Sequence, residues 1–239
     1  MRIIFLAVDC QLDFLLPTGK LYVKGANEII PKLKELADFA SETGITVVNT
    51  MDYHTKASRE ISDAPDFKTT FPRHCMSPEE SLEDVDEHYG PDGEFLGLGF
   101  DFIDEMYVTD LPTKMANLPR ESYTVGYSKV DLEIPKDCKH IIIQKDSFDV
   151  FENINAQEVF YRLKPDLVVI VGVASDVCVN YAVLGLRKRG YDVVVAVDAI
   201  KAIDNSPENI YNLYTSWLME GAWLASVDYI KKFVTERVK

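Results

Sequence analysis

The sequence predicts an α/β fold in which a mostly parallel, six-stranded sheet is covered by helices on both faces. Short apolar runs rich in β-branched residues alternate along the chain with segments of helical periodicity. The runs are almost continuously apolar, which is typical of parallel strands buried on both faces. With 239 residues the chain can form one large core. We therefore expect a single doubly wound, three-layer, Rossmann-like domain spanning residues 1–239.

Six apolar runs are the predicted strands of this sheet. Each is rich in valine, isoleucine or alanine and is bounded by polar or glycine-containing segments. The first run is too short for the apolar region of a signal peptide, and Asp9 follows it at once. The predicted strands are Ile3–Val8, Ile45–Thr50, His140–Gln144, Asp166–Gly172, Tyr191–Asp198 and Ala222–Val227.

Four segments between or after these runs have helical spacing. In the first of them apolar residues recur every three or four positions, and Gly44 follows where a helix would end. Gly190 stands in the same place after the second segment. The predicted helices are Asn27–Thr43, Asp176–Arg189, Pro207–Glu220 and a C-terminal helix from about Asp228.

One region departs from this alternation of strands and helices. Between Cys75 and Pro135 the sequence holds proline, glycine, aromatic and acidic residues without a clear βα unit. The region is too long for an ordinary connection. We expect an insertion at about 77–134 that lies over the active-site end of the sheet or forms an oligomer contact, and we expect a homo-oligomer.

Most of the negative charge of the chain belongs to this insertion. The formal net charge is −14, and eleven acidic residues lie between positions 79 and 105. No Lys or Arg lies between Cys75 and Thr113. A solvated surface is the simpler interpretation of such a run. The alternative is an acidic rim around the active site that disfavours anionic substrates.

Composition excludes several classes of function. A net charge of −14 argues against general binding to nucleic acid or to anionic lipids, because that binding depends on an excess of cations. No apolar stretch approaches the ~20 residues that span a bilayer. The four cysteines are far apart and form no CxxC pair, which favours free thiols in a reducing compartment. We therefore expect a cytoplasmic protein that binds a small molecule, and neither nucleic acid nor a membrane.

Chemically active side chains follow four of the predicted strands. Asp9 follows the first strand, Asp52 and His54 follow the second, Lys145 ends the third, and Cys178 lies just beyond the fourth. The carboxyl ends of parallel strands meet at one edge of a sheet, where ligands bind. We therefore expect these side chains to form one site, and their chemistry predicts an enzyme.

Cys178 is the predicted nucleophile of this site. It lies near the start of a predicted helix, where free backbone amides favour the thiolate and can hold an oxyanion. Asp9 is expected to take the thiol proton and to return it to a leaving amine, and Lys145 is expected to stabilise both anions. The alternative, a small buried residue on an amphipathic helix, leaves Asp9 and Lys145 at the same edge unexplained.

Asp52, His54 and His74 are the candidate metal ligands. Positions 52 and 54 share one side of an extended segment, and His74 follows in a Phe-Pro-Arg-His-Cys stretch. Two imidazoles and one carboxylate suit Zn²⁺, Mn²⁺ or Fe²⁺ with coordination positions left open. Two surface histidines are the alternative. His88 and His140 have no such context, and we expect no function for them.

These motifs resemble the isochorismatase-like cysteine hydrolase superfamily and, within it, the nicotinamidase/pyrazinamidase branch. Residues 8–14, VDCQLDF, are similar to the opening VDxQxDF motif of the family. Residues 172–179, GVASDVCV, are similar to its nucleophile turn. Residues 52–54, DYH, and 71–75, FPRHC, are similar to metal motifs that nicotinamidases carry and isochorismatases generally lack.

The resemblance covers residues 1–75 and about 135–235, and it implies a role for individual residues. It implies a cis peptide bond between Val173 and Ala174 and one divalent metal ion, with Zn²⁺ expected before Mn²⁺ or Fe²⁺. Glu60 is the nearest candidate for a further ligand. The implied roles are catalysis for Asp9, Lys145 and Cys178, an oxyanion hole for the amides of Ala174 and Cys178, substrate binding for Phe14, Phe71 and Val173, and metal binding for Asp52, His54 and His74.

The resemblance also implies a reaction. It implies a cysteine amidohydrolase that converts nicotinamide, or a similar small aromatic amide, to the acid and ammonia through a thioester, as a step of NAD salvage. Residues 146–153 are closer to the wider superfamily, and the insertion is long enough to rebuild the substrate pocket. A substrate from the small amides, carbamoyl compounds or vinyl ethers is therefore one alternative, and a catalytically silent metal-binding assembly protein is another.

Overall fold

A computed structural model gives the structure of the chain and describes residues 1–77, 86–103, 106, 122–128 and 131–237. The strands in these residues are β1 (Ile3–Val8), β2 (Thr46–Asp52), β3 (Glu87–Tyr89), β4 (Phe95–Leu98), β5 (Ser122–Val125), β6 (His140–Lys145), β7 (Leu167–Val173), β8 (Val193–Lys201) and β9 (Trp223–Ala225). The α-helices are α1 (Leu12–Leu15), α2 (Ile30–Thr43), α3 (Ala156–Leu163), α4 (Cys178–Lys188), α5 (Pro207–Met219) and α6 (Val227–Arg237), with short 3₁₀ helices at Ala26–Ile29 and Val150–Glu152.

Seven of these strands form one sheet in the order β5-β6-β2-β1-β7-β8-β9. Every neighbouring pair in it is parallel. Their carboxyl ends therefore meet at a single edge, which is where an open α/β sheet binds its ligands. The predicted α/β fold with a parallel sheet is confirmed, and the number of strands is seven rather than the expected six.

The additional strand is β5, which lies inside the segment that we assigned to the insertion. It pairs in parallel with β6 at the edge of the sheet. Only Val125 of its residues is buried, so the strand lacks the continuous apolar run that marks the central strands. The two other unpredicted strands, β3 and β4, form a separate antiparallel pair within the insertion.

Both faces of the main sheet are covered, and β1 shows how. Its odd-numbered side chains from Ile3 to Ala7 belong to a core that includes residues of α2 and α6. Its even-numbered side chains from Ile4 to Val8 belong to a second core with residues of α3, α4 and α5. Successive residues of a strand point to opposite faces, so one apolar run supplies both cores.

Local signals in the sequence set the ends of the helices. Helix α2 ends at Gly44, which has φ +68° as predicted from the glycine. Helix α5 begins with Pro207, and the Ser206 hydroxyl accepts a hydrogen bond from the Asn209 amide. Helix α4 begins at Cys178, later than expected, because the preceding residues form a turn. Within the described residues, no helix has the length and apolar character needed to cross a membrane.

Gly172 provides a test of the close contact between β1 and β7. Its φ is +108°, and a Cβ added there would lie 2.0 Å from the backbone oxygen of Val8. We expect Gly172→Ala to lower the free energy of unfolding by about 3 kcal/mol or more, because backbone on both sides blocks relief of the clash. Urea unfolding followed by circular dichroism measures the free energy of unfolding of the variant and of the wild type.

Gly190→Ala is the matched control. Gly190 has φ +81°, but apart from its chain neighbours no described residue has an atom within 4 Å of an added Cβ. This variant should lose only about 1 kcal/mol, from backbone strain. Equal losses in the two variants would contradict the packing argument.

Candidate active site

The sheet brings the predicted catalytic side chains to one buried cluster at its carboxyl edge. The Lys145 Nζ lies 2.9 Å from the Asp9 Oδ2 and 3.6 Å from the Cys178 Sγ. It also donates to the Asp52 Oδ1. Lys145 and Asp52 are register partners at the ends of β6 and β2. All four residues are buried, with Cys178 the most exposed at 9%.

Thr50 holds Asp9 in place within this cluster. Asp9 has a left-handed backbone with φ +49°, immediately after β1. Its amide donates to the Thr50 hydroxyl at 3.1 Å, and that hydroxyl donates to the Asp9 Oδ1 at 2.5 Å. The other carboxylate oxygen, Oδ2, is the one that faces Lys145. Sequence reasoning missed Thr50, although a hydroxyl at the end of a predicted apolar strand was a signal.

The two carboxylates of the cluster have opposite electrostatic environments. Burial raises the pKa of Asp9, and Lys145 only partly opposes this. Burial acts on Asp52 too, but Lys145 and the nearby imidazoles of His54 and His74 outweigh it and hold the pKa of Asp52 well below its ordinary value. Asp52 is therefore a permanent carboxylate, whereas Asp9 can accept a proton.

Burial also decides the protonation of Lys145 and Cys178. It opposes charge on Lys145, but Asp52 and Asp9 outweigh it, so the pKa of Lys145 stays well above its ordinary value. Burial raises the pKa of the Cys178 thiol well above its usual range, and the opposing effect of Lys145 is smaller. We expected the helix N-terminus to lower the pKa of Cys178. That prediction is wrong, because desolvation of the thiolate is the larger effect.

The turn before Cys178 contains the cis peptide bond between Val173 and Ala174, as the resemblance predicts. The Ser175 amide donates to the Lys201 carbonyl at 2.7 Å, and the amides of Val177 and Val179 donate to the Ala174 carbonyl. Cys178 is the first residue of α4, where an amide has no acceptor within the helix. The assignment of the Ala174 and Cys178 amides to an oxyanion hole stays a prediction.

Asp52, His54 and His74 form a buried cluster in which one ligand atom of each lies within 4.8 Å of the others. The Asp52 Oδ2 is 3.6 Å from the His54 Nε2 and 3.8 Å from the His74 Nε2. The His74 Nδ1 donates to the Pro72 carbonyl at 2.7 Å, which leaves the His74 Nε2 free to act as a ligand.

The environment of His54 tests whether this cluster fits a metal ion. Both of its ring nitrogens are buried and have no hydrogen-bond partner among the described residues. Buried polar atoms without partners are rare, and a bound cation would satisfy one of them. One carboxylate and two imidazoles are a donor set for a divalent metal. The predicted ligands therefore fit the expected ion.

Glu60 is not part of this metal cluster in the structure. It lies in the wall of the neighbouring cavity instead. Burial and the nearby Asp52 carboxylate raise the pKa of Glu60 to about 8. A protonated carboxyl group can donate a hydrogen bond at neutral pH.

A cavity of about 230 Å³ opens onto Cys178 and Asp9. The three predicted substrate contacts, Phe14, Phe71 and Val173, all line it. The ring centroids of Phe14 and Phe71 lie 5.5 and 6.4 Å from that of His74, so the aromatic walls adjoin the metal cluster. Such walls suit a flat aromatic ligand.

Phe148 is a further aromatic wall of the cavity that sequence reasoning missed. Its ring centroid lies 5.9 Å from that of Phe71. It belongs to residues 146–153, the stretch that departs from the nicotinamidase pattern. This departure was a signal that the pocket wall differs from that of nicotinamidases.

The described part of the insertion does not form the acidic rim that we considered. None of its described acidic residues lines the cavity. The acidic positions 79, 80, 83, 84, 104 and 105 lie outside the described residues. His88, for which we expected no function, is buried and hydrogen bonded to Asp13.

The chain is similar to one known protein family and to two known enzymes. The Isochorismatase domain family matches residues 126–215. Nicotinamidase from Saccharomyces cerevisiae is 25% identical over 212 residues, covering 86% of this chain and 90% of that protein. Nicotinamidase from Acinetobacter baylyi is 27% identical over 216 residues, covering 83% and 81%.

A solved structure shows the same fold. The structure of pyrazinamidase from Pyrococcus horikoshii in complex with zinc aligns with a TM-score of 0.65 and 22% identity, covering 95% of this chain and 99% of that one. The comparisons confirm the prediction of a hydrolase that acts on a carbon–nitrogen bond of a linear amide. The chain is therefore similar to the isochorismatase-like hydrolases and, among them, to the nicotinamidases.

Proposed function

We propose that the chain is a cysteine amidohydrolase that converts nicotinamide, or a closely similar small aromatic amide, to the acid and ammonia. One observation carries this proposal: the Cys178 thiol, the Asp9 carboxylate and the Lys145 ammonium meet at the base of an aromatic cavity that adjoins the Asp-His-His cluster. The similarity to two nicotinamidases over more than four-fifths of the chain supports the substrate.

The first half of the proposed reaction forms a thioester. Asp9 takes the Cys178 proton while the sulfur attacks the amide carbonyl, since the resting group is a thiol. The carbonyl oxygen becomes an oxyanion held by the amides of Ala174 and Cys178. Asp9 then gives its proton to the amide nitrogen, the carbon–nitrogen bond breaks, and ammonia leaves.

The second half regenerates the thiol. Water attacks the thioester carbonyl, and Asp9 takes a proton from it. The carbon–sulfur bond breaks, the acid is released, and the sulfur recovers its proton from Asp9. Lys145 keeps its charge throughout and stabilises each anionic state of Asp9 and Cys178. The raised pKa of Asp9 suits a group that accepts and returns a proton in each half.

The Asp52, His54 and His74 side chains would hold one divalent ion, with Zn²⁺ expected before Mn²⁺ or Fe²⁺. When bound, this ion supplies a Lewis acid that orients the ring nitrogen of the substrate. Phe14 and Phe71 would stack against the pyridine ring and place its amide over Cys178. A step in NAD salvage, which the resemblance implies, stays a prediction. The cytoplasmic location and the homo-oligomeric state, which we expected from the sequence, stay predictions too.

Release of ammonia from a panel of amides tests this function. Nicotinamide should be converted to nicotinate and ammonia, and benzamide, which lacks the ring nitrogen, should react more slowly. Removal of the metal by a chelator should lower the nicotinamide rate, and Zn²⁺ should restore it. Faster release of ammonia from a carbamoyl compound would replace nicotinamide as the proposed substrate. Failure to release ammonia from any amide would refute the proposal.

Replacing the thiol tests the nucleophile. We expect Cys178→Ala to lower kcat at least about a thousandfold, because no other group can form the thioester. Cys138→Ala is the matched control, since Cys138 is also 9% exposed but lies outside the cavity. It should keep kcat within about twofold. Normal turnover by the Cys178 variant would end the hypothesis.

Removing a ligand tests the metal site. Elemental analysis should find one divalent ion per chain in the purified protein and none in His54→Ala, because two remaining ligands hold an ion weakly. The control is His140→Gln, a change at another buried histidine that is not part of the cluster. That variant should keep its ion. A fully active protein without metal would exclude this site.

A further inference from the structure

The described part of the insertion packs against helix α1 and against Cys10, which lies between β1 and α1. The Leu12 amide donates to the Asp101 carbonyl at 2.9 Å, and the Asp13 amide donates to the Gly99 carbonyl at 3.1 Å. The Ile103 amide donates to the Cys10 carbonyl at 3.1 Å. Helix α1 has only four residues and would not be stable alone, so these hydrogen bonds contribute to its stability.

His88 of β3 adds a buried side-chain contact to this interface. Its exposed fraction is 3%, and its Nε2 lies 2.9 Å from the Asp13 Oδ1. A carboxylate oxygen only accepts, so the Nε2 donates. The His88 Nδ1 lies 3.2 Å from the hydroxyl of Thr18, an exposed residue. Burial opposes the charge on Asp13, but hydrogen bonds from His88 and the amides of Cys75 and Lys20 outweigh it and lower its pKa, so Asp13 is ionised.

Asp13 connects His88 to the backbone of Cys75, which lies next to the proposed ligands His54 and His74. Its Oδ2 accepts a hydrogen bond from the Cys75 amide at 2.7 Å. Cys75 directly follows His74, and its carbonyl accepts from the His54 amide at 3.0 Å. Cys75 has φ +45°, a left-handed conformation that costs free energy in a residue with a Cβ. Asp13 therefore stabilises the backbone of Cys75, which directly follows His74 and is hydrogen bonded to His54.

We propose that His88 is a positioning residue of the metal site. It fixes the Asp13 carboxylate, which in turn holds the Cys75 backbone and, through it, the spacing of His54 and His74. The insertion thus prepares the ligands for the ion rather than covering the cavity. This inference rests on the metal site of the proposed function.

Zinc affinity of the metal-free protein tests the proposal, measured by competition with a chelating indicator. Groups that orient metal ligands typically change affinity by 10- to 100-fold when removed, and we expect His88→Ala to raise the zinc Kd by about that factor. His88→Gln keeps an N–H donor for Asp13 and should recover most of the affinity. The absorption spectrum of the Co²⁺-loaded protein should change in His88→Ala and return in His88→Gln.

His140→Gln is the control for general destabilisation, because His140 is equally buried but lies at the start of β6, away from the site. It should leave the zinc Kd unchanged. Thr18→Val, at an exposed position, removes only the partner of the His88 Nδ1 and should raise the Kd by about threefold. If His88→Ala does not fold, the zinc Kd of Thr18→Val tests the proposal instead.

The outcomes separate the inference from the function beneath it. Wild-type protein that binds no divalent ion would refute the proposed metal site, whatever His88 does. Wild-type protein that binds zinc, together with unchanged affinity in His88→Ala, would overturn the role of His88. Unchanged affinity in Thr18→Val where the alanine variant does not fold, or an equal loss in His140→Gln, would overturn it too.

Discussion

The buried ammonium of Lys145 is the constraint on which the rest of the site depends. A charge moved out of water into a protein interior costs several kcal/mol unless it is paired and hydrogen bonded. Lys145 is 1% exposed and is paired with Asp9 and Asp52. Those carboxylates stand at the ends of β1 and β2, so the ion pairs fix three neighbouring strand ends relative to one another. The Cys178 thiol is placed against the same nitrogen.

Asp52 joins the two halves of the site because its two oxygens have different partners. The Oδ1 binds Lys145, and the Oδ2 faces both His54 and His74. Asp9 binds the same ammonium but, within the described part of the chain, has no histidine partner, and burial raises its pKa. Two carboxylates with pKa values moved in opposite directions take different roles. In the proposed reaction, Asp52 remains ionised as a metal ligand and Asp9 exchanges protons with the thiol.

The protonation of Cys178 shows which of two opposing effects is larger. A helix N-terminus stabilises an anion by about 0.3–1 kcal/mol, and by up to about 2 kcal/mol when partly buried. Full burial can shift a pKa by about 3–5 units, and each unit is about 1.4 kcal/mol. Burial therefore outweighs the helix terminus. The sequence places Cys178 at the start of a helix but does not give the depth of its burial, so the expected lowering of the thiol pKa was wrong.

The central strands and the grouping of the site residues could be predicted from sequence because both follow from the geometry of a parallel sheet. Continuous apolar runs mark β1 and β7, and residues after such strands must share an edge. β5 could not be predicted this way, since an edge strand buries little. His88 could not be predicted either. Its partner Asp13 is 75 residues away, and no local pattern specifies a contact across an irregular segment.

The two histidines proposed as metal ligands lie on less rigid parts of the chain than Asp52 does. Asp52 ends a strand, whereas His54 and His74 lie on irregular segments after it. Loops position side chains less rigidly than a sheet does, so their ligand spacing has to be fixed by other contacts. The Gln11 side chain donates to the carbonyls of Asp52 and Phe100, both at 2.8 Å. The insertion thus reaches the site at Asp52 as well as at Cys75.

The alternation of β3 explains how an acidic insertion can support a metal site. His88 points inward, while Glu87 and Tyr89 on either side are exposed. The acidic residues Asp92 and Glu94 are exposed as well. In the described residues the negative charge therefore lies mainly on the solvated outer side, which favours the simpler of our two interpretations of the acidic run. The inner side presents an imidazole to an ionised aspartate, a pairing that tolerates burial because the histidine donates to the charge.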